Sequence, residues 1–500
     1  MLPKKPPLKQ PNLEDIIGLM KRPSKADIAL VKKAYAFAEK AHEGQKRYSG
    51  EPYFNHAAHV GANLASIHVD ATTVAAGLLH DTIEDAAVLP ETIEAEFGKE
   101  VLKLVEGVTK LGTLKYRGVK RHVESMRKFF IAMADDIRVL LIKLADRLHN
   151  IQTLEHVPEE KRKRIAVETL EIHARLADRF GMGKWKGIFE DSAFPYAFPE
   201  EYEKVRLIIK KKLLIDEKYA EKIHHTIQKE LALNGVKNAH IEYRVKNLFS
   251  LWRKLARKEM DLEKVFDILA VRVVVKNIED CYQALGIIHK HWRPVPGRIK
   301  DYIATPKHNG YRSLHTTIFR GDGGVTEIQI RTEEMHEEAQ YGIASHLAYK
   351  EKDDSNKTVE KNIAWVKELA KWQREVTQED EFLENLSMDF FRHRVFVLTP
   401  KGDVIDLPED ATPVDFAYAI HSNIGDHMSG AKIGNKLVSL DTKLKNGDVV
   451  EIETKEKATP SRKWLDLAKT TLAKRHIRSH LDKSNPINIL AEKFFGKKRA

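Results

Sequence analysis

Only one cysteine, Cys281, occurs in the 500 residues. That excludes a disulfide framework and any zinc site built from cysteines. No stretch approaches the roughly 20 uninterrupted apolar residues that a membrane helix requires, so a helical membrane protein is excluded as well. The N-terminus, MLPKKPPLKQ, has the positive charge of a signal peptide but no apolar segment behind it. A cytoplasmic location is expected. No Walker-type glycine-rich loop is present, so any phosphate chemistry must rest on something other than a P-loop. Low-complexity sequence and internal repeats are also missing beyond the Pro- and Lys-rich first residues.

What remains is an ordinary globular composition, 42% hydrophobic and 31% charged. The length suggests about three domains at roughly 150 residues each. The net charge of +11 is uneven: residues 455–500 hold 13 Lys/Arg against 4 Asp/Glu, whereas 394–454 hold 6 against 10. A C-terminal tail of this kind suits a polyanion or serves as a solvated helix face, and pattern alone weighs the two about equally.

Residues 1–25 read as a loose leader. From 26 to 190 the periodicity is helical: DIALVKKAYAFAEKAHEG ends at Gly44 as a C-terminal cap would, DATTVAAGLLHDTIED starts on Asp70, and His122 to Leu154 forms one long helix or two. FEDSAFPYAFPEEY, with its two prolines, is a linker candidate at the start of connecting helices over 191–235. Over 236–350 strand-like runs (AHIEYR, ILAVRVVVK, VTEIQIR) interleave with helices such as DCYQALGIIHKHW, predicting an α/β domain. Residues 351–390 are a charged helical connector. Residues 391–454 read strand, turn at Lys401-Gly402, strand, helix, then a second turn at Asn446-Gly447-Asp448. A basic helical tail covers 455–500.

In the helical half, His80-Asp81 ends a small-residue helix and is followed at once by Glu84-Asp85. Imidazole and carboxylate together suit Mn, Fe or Zn, and His56 and Asp146 are the obvious further ligands. A lone His-Asp pair is more often structural; the ordered set His56, His80-Asp81, Glu84-Asp85, Asp146 raises the odds. Asp146 and Asn150 share a helix face. The acidic pair is placed to orient or deprotonate a water, which points to metal-assisted phosphoester hydrolysis. The text QKRYSGEPYFNHAAHV, LLHDTIED and KLADRLHN resembles the HD-type hydrolase domain of RelA/SpoT homologues, enzymes that make and degrade the alarmone (p)ppGpp in the stringent response. The resemblance implies an all-α HD domain in which His56, His80, Asp81 and Asp146 ligate Mn²⁺. It further implies that Glu84 and Asp85 handle the attacking water, with Arg47 and Asn150 lining the nucleotide pocket. Tyr48 stands where that family often has a basic residue.

In the α/β half, Asp267 precedes an apolar strand, and Glu327, Gln329 and Arg331 share one face of another. Such a face is either exposed or lines a site. Arg244 and Lys246 flank the first strand, while Arg298, Lys300, Lys307 and Arg312 crowd one short segment, and Tyr302 and Tyr311 offer flat faces for a base. Two carboxylates can hold a magnesium that bridges phosphates. PGRIKDYIATPKHNGYRSLHT followed by TEIQIRTEEMHEEAQYGIASH is similar to the synthetase domain of the same family. That implies a nucleotidyltransferase-like fold with a mixed sheet and transfer of pyrophosphate from ATP to the 3′-hydroxyl of GDP or GTP. By that resemblance Asp267 and Glu327 hold Mg²⁺ and Glu327 also draws the proton from the hydroxyl. Tyr311 stacks on guanine, Arg244, Lys246, Arg272, Lys300 and Lys307 hold phosphates, and Asn309, His315 and Gln329 support them. The family's Gly-Arg-Pro-Lys-His stretch appears here as Tyr243-Arg244-Val245-Lys246-Asn247. Arg312 replaces a usual glutamine, and the basic loop Arg298-Ile299-Lys300-Asp301 is of the kind found in bifunctional members.

Residues 394–454 resemble a TGS domain, a β-grasp module that in long family members reports uncharged tRNA on the ribosome. His421 matches the position implicated in sensing the tRNA end. The resemblance implies a form shorter than long members at its C-terminus, with contact to ribosome or tRNA through the TGS domain and basic tail. Three readings follow: a bifunctional alarmone enzyme, a hydrolase with a weak synthetase, or a ribosome- or tRNA-binding regulator with vestigial catalytic halves. Two opposed sites on one chain call for a switch that makes them mutually exclusive, transmitted through the 155–235 helices.

Overall fold

The computed structural model describes residues 9–112, 135–257, 259–260, 268–307, 309–320, 324–347, 394–445 and 447–483. The chain forms two units, Met1–Trp372 and Gln373–Ala500. Outside the described residues lie Asp267, the connector at 351–390, the part of the His122–Leu154 stretch up to 134, Asn446 of the second expected turn, residues 1–8 of the leader and 484–500 of the basic tail. Among the described residues no helix is long and apolar enough to cross a membrane.

In the first unit the helices begin earlier than composition suggests. Leu13–Leu19, inside the expected leader, forms helix α1: Asn12 and Asp15 cap each other reciprocally, and Ile16 is fully buried. Helix α2 (Lys25–Ala41) starts on a second capping box, Ser24 with Asp27, and stops short of Gly44, which turns the chain at φ +78°. Helices α3 (Phe54–Ala65) and α4 (Ala71–Leu79, N-capped by Asp70) pack so closely at Gly77 that a Cβ there would lie 2.2 Å from Leu64 Cδ1. This close approach brings His56 near His80. Helices α5 (Thr82–Asp85), α6 (Pro90–Gly112) and α7 (Ile137–Gln152) complete the layer around the site.

Helix α8 (Glu159–Glu168) runs through a π-helical turn, Thr169–His173, into α9 (Ala174–Arg179). Then come α10 (Gly183–Ala197) and the long α11 (Pro199–Leu233). The proposed linker is instead a packed corner. Pro195 falls near the end of α10 and Pro199 opens α11, where its missing N–H costs nothing. Phe194, Phe198 and Tyr202 join Phe249 and Trp252 in an aromatic cluster with ring centroids 5.0–6.4 Å apart. The aromatics that accompanied the prolines form a core, which the turn signals alone did not convey.

The α/β part carries β1 (His240–Val245), α12 (Leu248–Ala256), β2 (Leu269–Val275), α13 (Ile278–His291), β3 (Lys300–Asp301), β4 (Leu314–Phe319) and β5 (Val325–Thr332). The sheet order is β1-β2-β5-β4-β3, with β2 and β5 parallel and the other pairs antiparallel, the mixed sheet expected. One face is apolar: Val271, Val273, Ile328 and Ile330 pack with Ile223 and Ile227 of α11 and Cys281 and Ile288 of α13. The other face is polar, because side chains alternate and the register aligns them. One row across the sheet reads Arg244, Ala270, Glu327, Thr317; the next reads Glu242, Arg272, Gln329, His315, Lys300. Helices α14 (Glu333–Tyr341) and α15 (Ile343–Leu347) follow.

The second unit pairs β6 (Arg394–Leu398) with β7 (Val404–Pro408) and then forms α16 (Pro413–Ile420) and α17 (Ser422–Asp426). A three-stranded sheet of β8 (Met428–Ile433), β9 (Lys436–Val438) and β10 (Val450–Thr454) has the order β10-β8-β9 and joins β6 by a parallel bridge at Leu398 and Val449. The first part of the basic tail is packed: in α18 (Trp464–Leu467) and α19 (Thr471–Lys483), Trp464, Ala473 and Ile477 bury against Val414, Ala417 and Tyr418 of α16. Arg475 and Arg478 of α19 are exposed on its outer face.

Candidate active sites

Helices α3, α4 and α7 deliver three side chains to one buried point. One ligand atom each from His56, His80 and Asp146 lie within 4.8 Å of one another, and all three residues are buried. Asp81 reaches the same point: its Oδ2 is 3.0 Å from His80 Nε2 and 3.7 Å from His56 Nε2, and Asp146 Oδ1 is 3.3 Å from His56 Nε2. His80 Nδ1 donates to Gly77 O at 2.8 Å, which turns the buried Nε2 inward toward Asp81 Oδ2. Two carboxylates and two imidazole nitrogens around one point form a donor set that fits a divalent cation. Electrostatics agree. Burial alone would depress His80, but Asp81 beside it lifts it to about 9. Burial would raise Asp146, yet Lys143 at 2.7 Å and His56 hold its carboxyl well below the usual carboxylate range. The cradle is built for positive charge.

Around it stand groups that sequence reading missed. His149 Nδ1 lies 2.9 Å from His56 Nδ1 and accepts from Arg47 Nη1 at 3.0 Å, and its ring stacks on His59 at 4.3 Å. The contact orients the His56 ring with its Nε2 toward Asp146. Arg47 also donates to Asn150 Oδ1 at 2.5 Å, and Asn150 in turn donates to Asp146. Tyr53 Oη donates toward Asp81 Oδ2 at 2.8 Å and Asp85 Oδ2 at 2.7 Å. Glu84 and Asp85 lie at the exposed rim, where burial and then the Asp85 charge raise the Glu84 carboxyl above its ordinary value.

The polar face of the sheet holds the second site, a cavity of about 280 Å³. Of the sequence candidates, Arg244, Lys246, Arg298, Lys300, Tyr302, Lys307, His315, Glu327 and Gln329 line it. Glu327 is its centre. Burial would raise this carboxyl, but His315 Nδ1 at 3.2 Å, the Gln329 amide at 2.8 Å and the Lys246 charge hold it at about 2. His315 Nε2 accepts from Tyr311 Oη at 2.8 Å, which fixes the tautomer that donates to Glu327. Burial, followed by Lys300 and Lys186, lowers Lys307 to about 8; its ammonium lies 4.6 and 4.9 Å from the Tyr302 and Tyr311 ring centroids.

Arg272, Asn309, Tyr311 and Arg312 are not among the lining residues. Arg272 is taken up by Glu242, its cross-strand neighbour on β1. Asn309 shapes its own loop, accepting from Tyr311 N at 3.2 Å and donating to Asp178 O of α9 at 3.2 Å. Tyr311 supports His315 from beneath. Arg312, which falls within the basic segment, is bound by both carboxylate oxygens of Glu338 on α14 at 2.9 and 3.0 Å. Conversely, Lys254 on α12 and Thr317 on β4 line the cavity without having been singled out; the alternation of β4 could have found Thr317, whereas nothing local marks Lys254. In the second unit, His421 is exposed and caps α17 by accepting from Asn423 N at 3.1 Å.

Three family models match the chain: "HD domain" over residues 34–183, "Region found in RelA / SpoT proteins" over 243–354 and "TGS domain" over 395–454. Among curated proteins, the chain is 47% identical over 464 residues to the guanosine-3′,5′-bis(diphosphate) 3′-pyrophosphohydrolase of Aquifex aeolicus (strain VF5), covering 92% of this chain and 66% of that one. It is 44% identical to the GTP pyrophosphokinase of Myxococcus xanthus, covering 91% of this chain and 60% of that one. The chain thus spans less than two thirds of the length of these relatives. Among solved structures, small alarmone synthetase 2 from Bacillus subtilis aligns with 33% of this chain and 98% of its own at 30% identity and a TM-score of 0.25.

Proposed function

Because this chain belongs to the family of RelA/SpoT homologues, with HD, RelA/SpoT and TGS domains in that order, we propose that it is a bifunctional alarmone enzyme. One site removes the 3′-pyrophosphate of (p)ppGpp to give GDP or GTP, and the other transfers pyrophosphate from ATP to the 3′-hydroxyl of GDP or GTP. The observation that carries this reading is the convergence of His56, His80, Asp81 and Asp146 on one point between three helices.

In the hydrolase half, His56, His80, Asp81 and Asp146 would hold Mn²⁺. In the synthetase half, Glu327 with Asp267 would hold Mg²⁺. Bound there, the cations supply Lewis acidity toward phosphoryl oxygens and acidify water at the first site. The protein does the rest. Glu84, raised by burial at the rim, and Asp85 orient the attacking water and take its proton. Arg47 and Asn150 hold the nucleotide beside them. In the second site, Arg244, Lys246, Lys300 and Lys307 neutralise the transferred phosphates, and Glu327, kept ionised by His315, accepts the proton of the 3′-hydroxyl. Arg272, Asn309 and Tyr311 act from around the cavity. In the TGS domain, the exposed His421 is offered to an RNA end, and the protein works in the cytoplasm.

Purified protein given ATP, GDP and Mg²⁺ should form ppGpp, and Glu327→Gln should reduce the rate at least about 100-fold, the scale of a lost catalytic base. Unchanged synthesis by the variant would remove Glu327 from the mechanism. No synthesis by folded wild type would leave the hydrolase as the sole enzymatic half.

A further inference from the structure

Tyr53 is joined to both parts of the hydrolase site. Its hydroxyl lies 2.8 Å from Asp81 Oδ2, the oxygen that faces His56 and His80, and 2.7 Å from Asp85 Oδ2. The side chain is fixed from behind. Its ring stacks on the buried His42 at 4.8 Å, and its backbone N–H donates to Gln45 O at 2.9 Å. Gln45 in turn donates its amide to the Asp85 carbonyl at 2.8 Å and meets His42 Nδ1 at 2.8 Å. The turn between Gln45 and Tyr53, closed by a bridge between Lys46 and Pro52, thus clamps Asp85 by backbone and side chain at once.

A phenol has one proton and cannot donate fully to two carboxylates. A cation held by Asp81 satisfies that carboxylate, and the single proton then goes to Asp85. We propose that Tyr53 is a positioning residue for hydrolysis: it holds Asp85 at a set distance from the cation cradle, so that the acid acting on the water is aligned only when the cation is in place. This rests on the hydrolase reading above, with Asp85 in the role given there.

The test is a double-mutant cycle on the full chain with ppGpp and Mn²⁺, using Tyr53→Phe, Asp85→Asn and both together. Phenylalanine keeps the stack on His42 and removes only the hydroxyl. Tyr53→Phe should lower kcat about 10- to 100-fold with KM little changed, the scale of an outer-shell loss. Its Mn²⁺ affinity, read from free Mn²⁺ by electron paramagnetic resonance, should stay within about threefold of wild type, because with the cation bound the hydroxyl serves Asp85 and not the ligand Asp81. In the Asp85→Asn background, the further loss on removing the hydroxyl should shrink to about twofold or less, since both substitutions break one linkage. Multiplicative losses, an unchanged kcat, or a Mn²⁺ affinity that falls in step with kcat would each overturn the proposal. A folded wild type that binds Mn²⁺ yet releases no pyrophosphate would contradict the hydrolase reading itself and this inference with it, whereas an active wild type matched by Tyr53→Phe contradicts the inference alone.

Discussion

Beneath two tyrosine rings and close to Lys300 and Lys186, the Lys307 ammonium has little water to stabilise it, and burial brings it down to about 8. Its charge is therefore present at pH 7 and is lost as pH rises through 8. ATP affinity should fall by up to about tenfold between pH 7 and 9, with a proton taken up on binding above pH 8, and Lys307→Arg should abolish that slope. Calorimetry in buffers of different ionisation enthalpy checks both. In the other site His149 is the residue to remove, because it orients the His56 ring from 2.9 Å. His149→Ala should weaken Mn²⁺ binding about 10- to 100-fold by titration calorimetry. Neither Tyr53 nor His149 could be found from sequence. Their partners, Asp81 and His56, lie 28 and 93 positions away, and no spacing rule reaches across those distances. His80 and Asp81 could be found because adjacent residues ending one helix are a local signal.

Elements were legible where one periodicity governed them. The strand VTEIQIR displayed its two faces in the letters, and the register places Glu327 and Gln329 beside Ala270 and Arg272 as that alternation requires. FEDSAFPYAFPEEY was misread because turn chemistry and core aromatics share the segment, and packing decided the outcome. Contacts between elements were not legible at all. Gly342, between α14 and α15, has φ +56° and ψ −130°, and a Cβ there would lie 2.0 Å from Phe180 O. Gly342→Ala should destabilise this joint by at least about 2 kcal/mol, through strain and a backbone clash, as a lowered thermal midpoint. In the second unit, Asp415 is fully buried and accepts from the backbone N–H groups of Thr412 at 2.9 Å, Lys469 at 2.8 Å and Thr470 at 2.7 Å. Asp415→Ala should cost about 2–4 kcal/mol and loosen α18 and α19, measured as denaturant midpoint and as faster amide exchange in 464–483.

At the scale of the whole molecule, the helical and α/β parts of the first unit are tied to each other. The synthetase loop at Asn309 is tied to Asp178 of α9, and Ile343 N donates to Phe180 O at 2.9 Å, so the segment that follows the π-helical turn supports both domains. A switch that makes the two proposed activities mutually exclusive would have to pass through contacts such as these. The account as a whole depends on the cation cradle, and one comparison tests it most directly. Purified protein is incubated with guanosine tetraphosphate and Mn²⁺, with and without chelator, beside Asp81→Ala, and pyrophosphate release is followed. Release that requires Mn²⁺ and falls at least about 100-fold in the variant is predicted, since Asp81 is a cation ligand. Release that survives chelation, or an Asp81→Ala protein as active as wild type, would contradict the account.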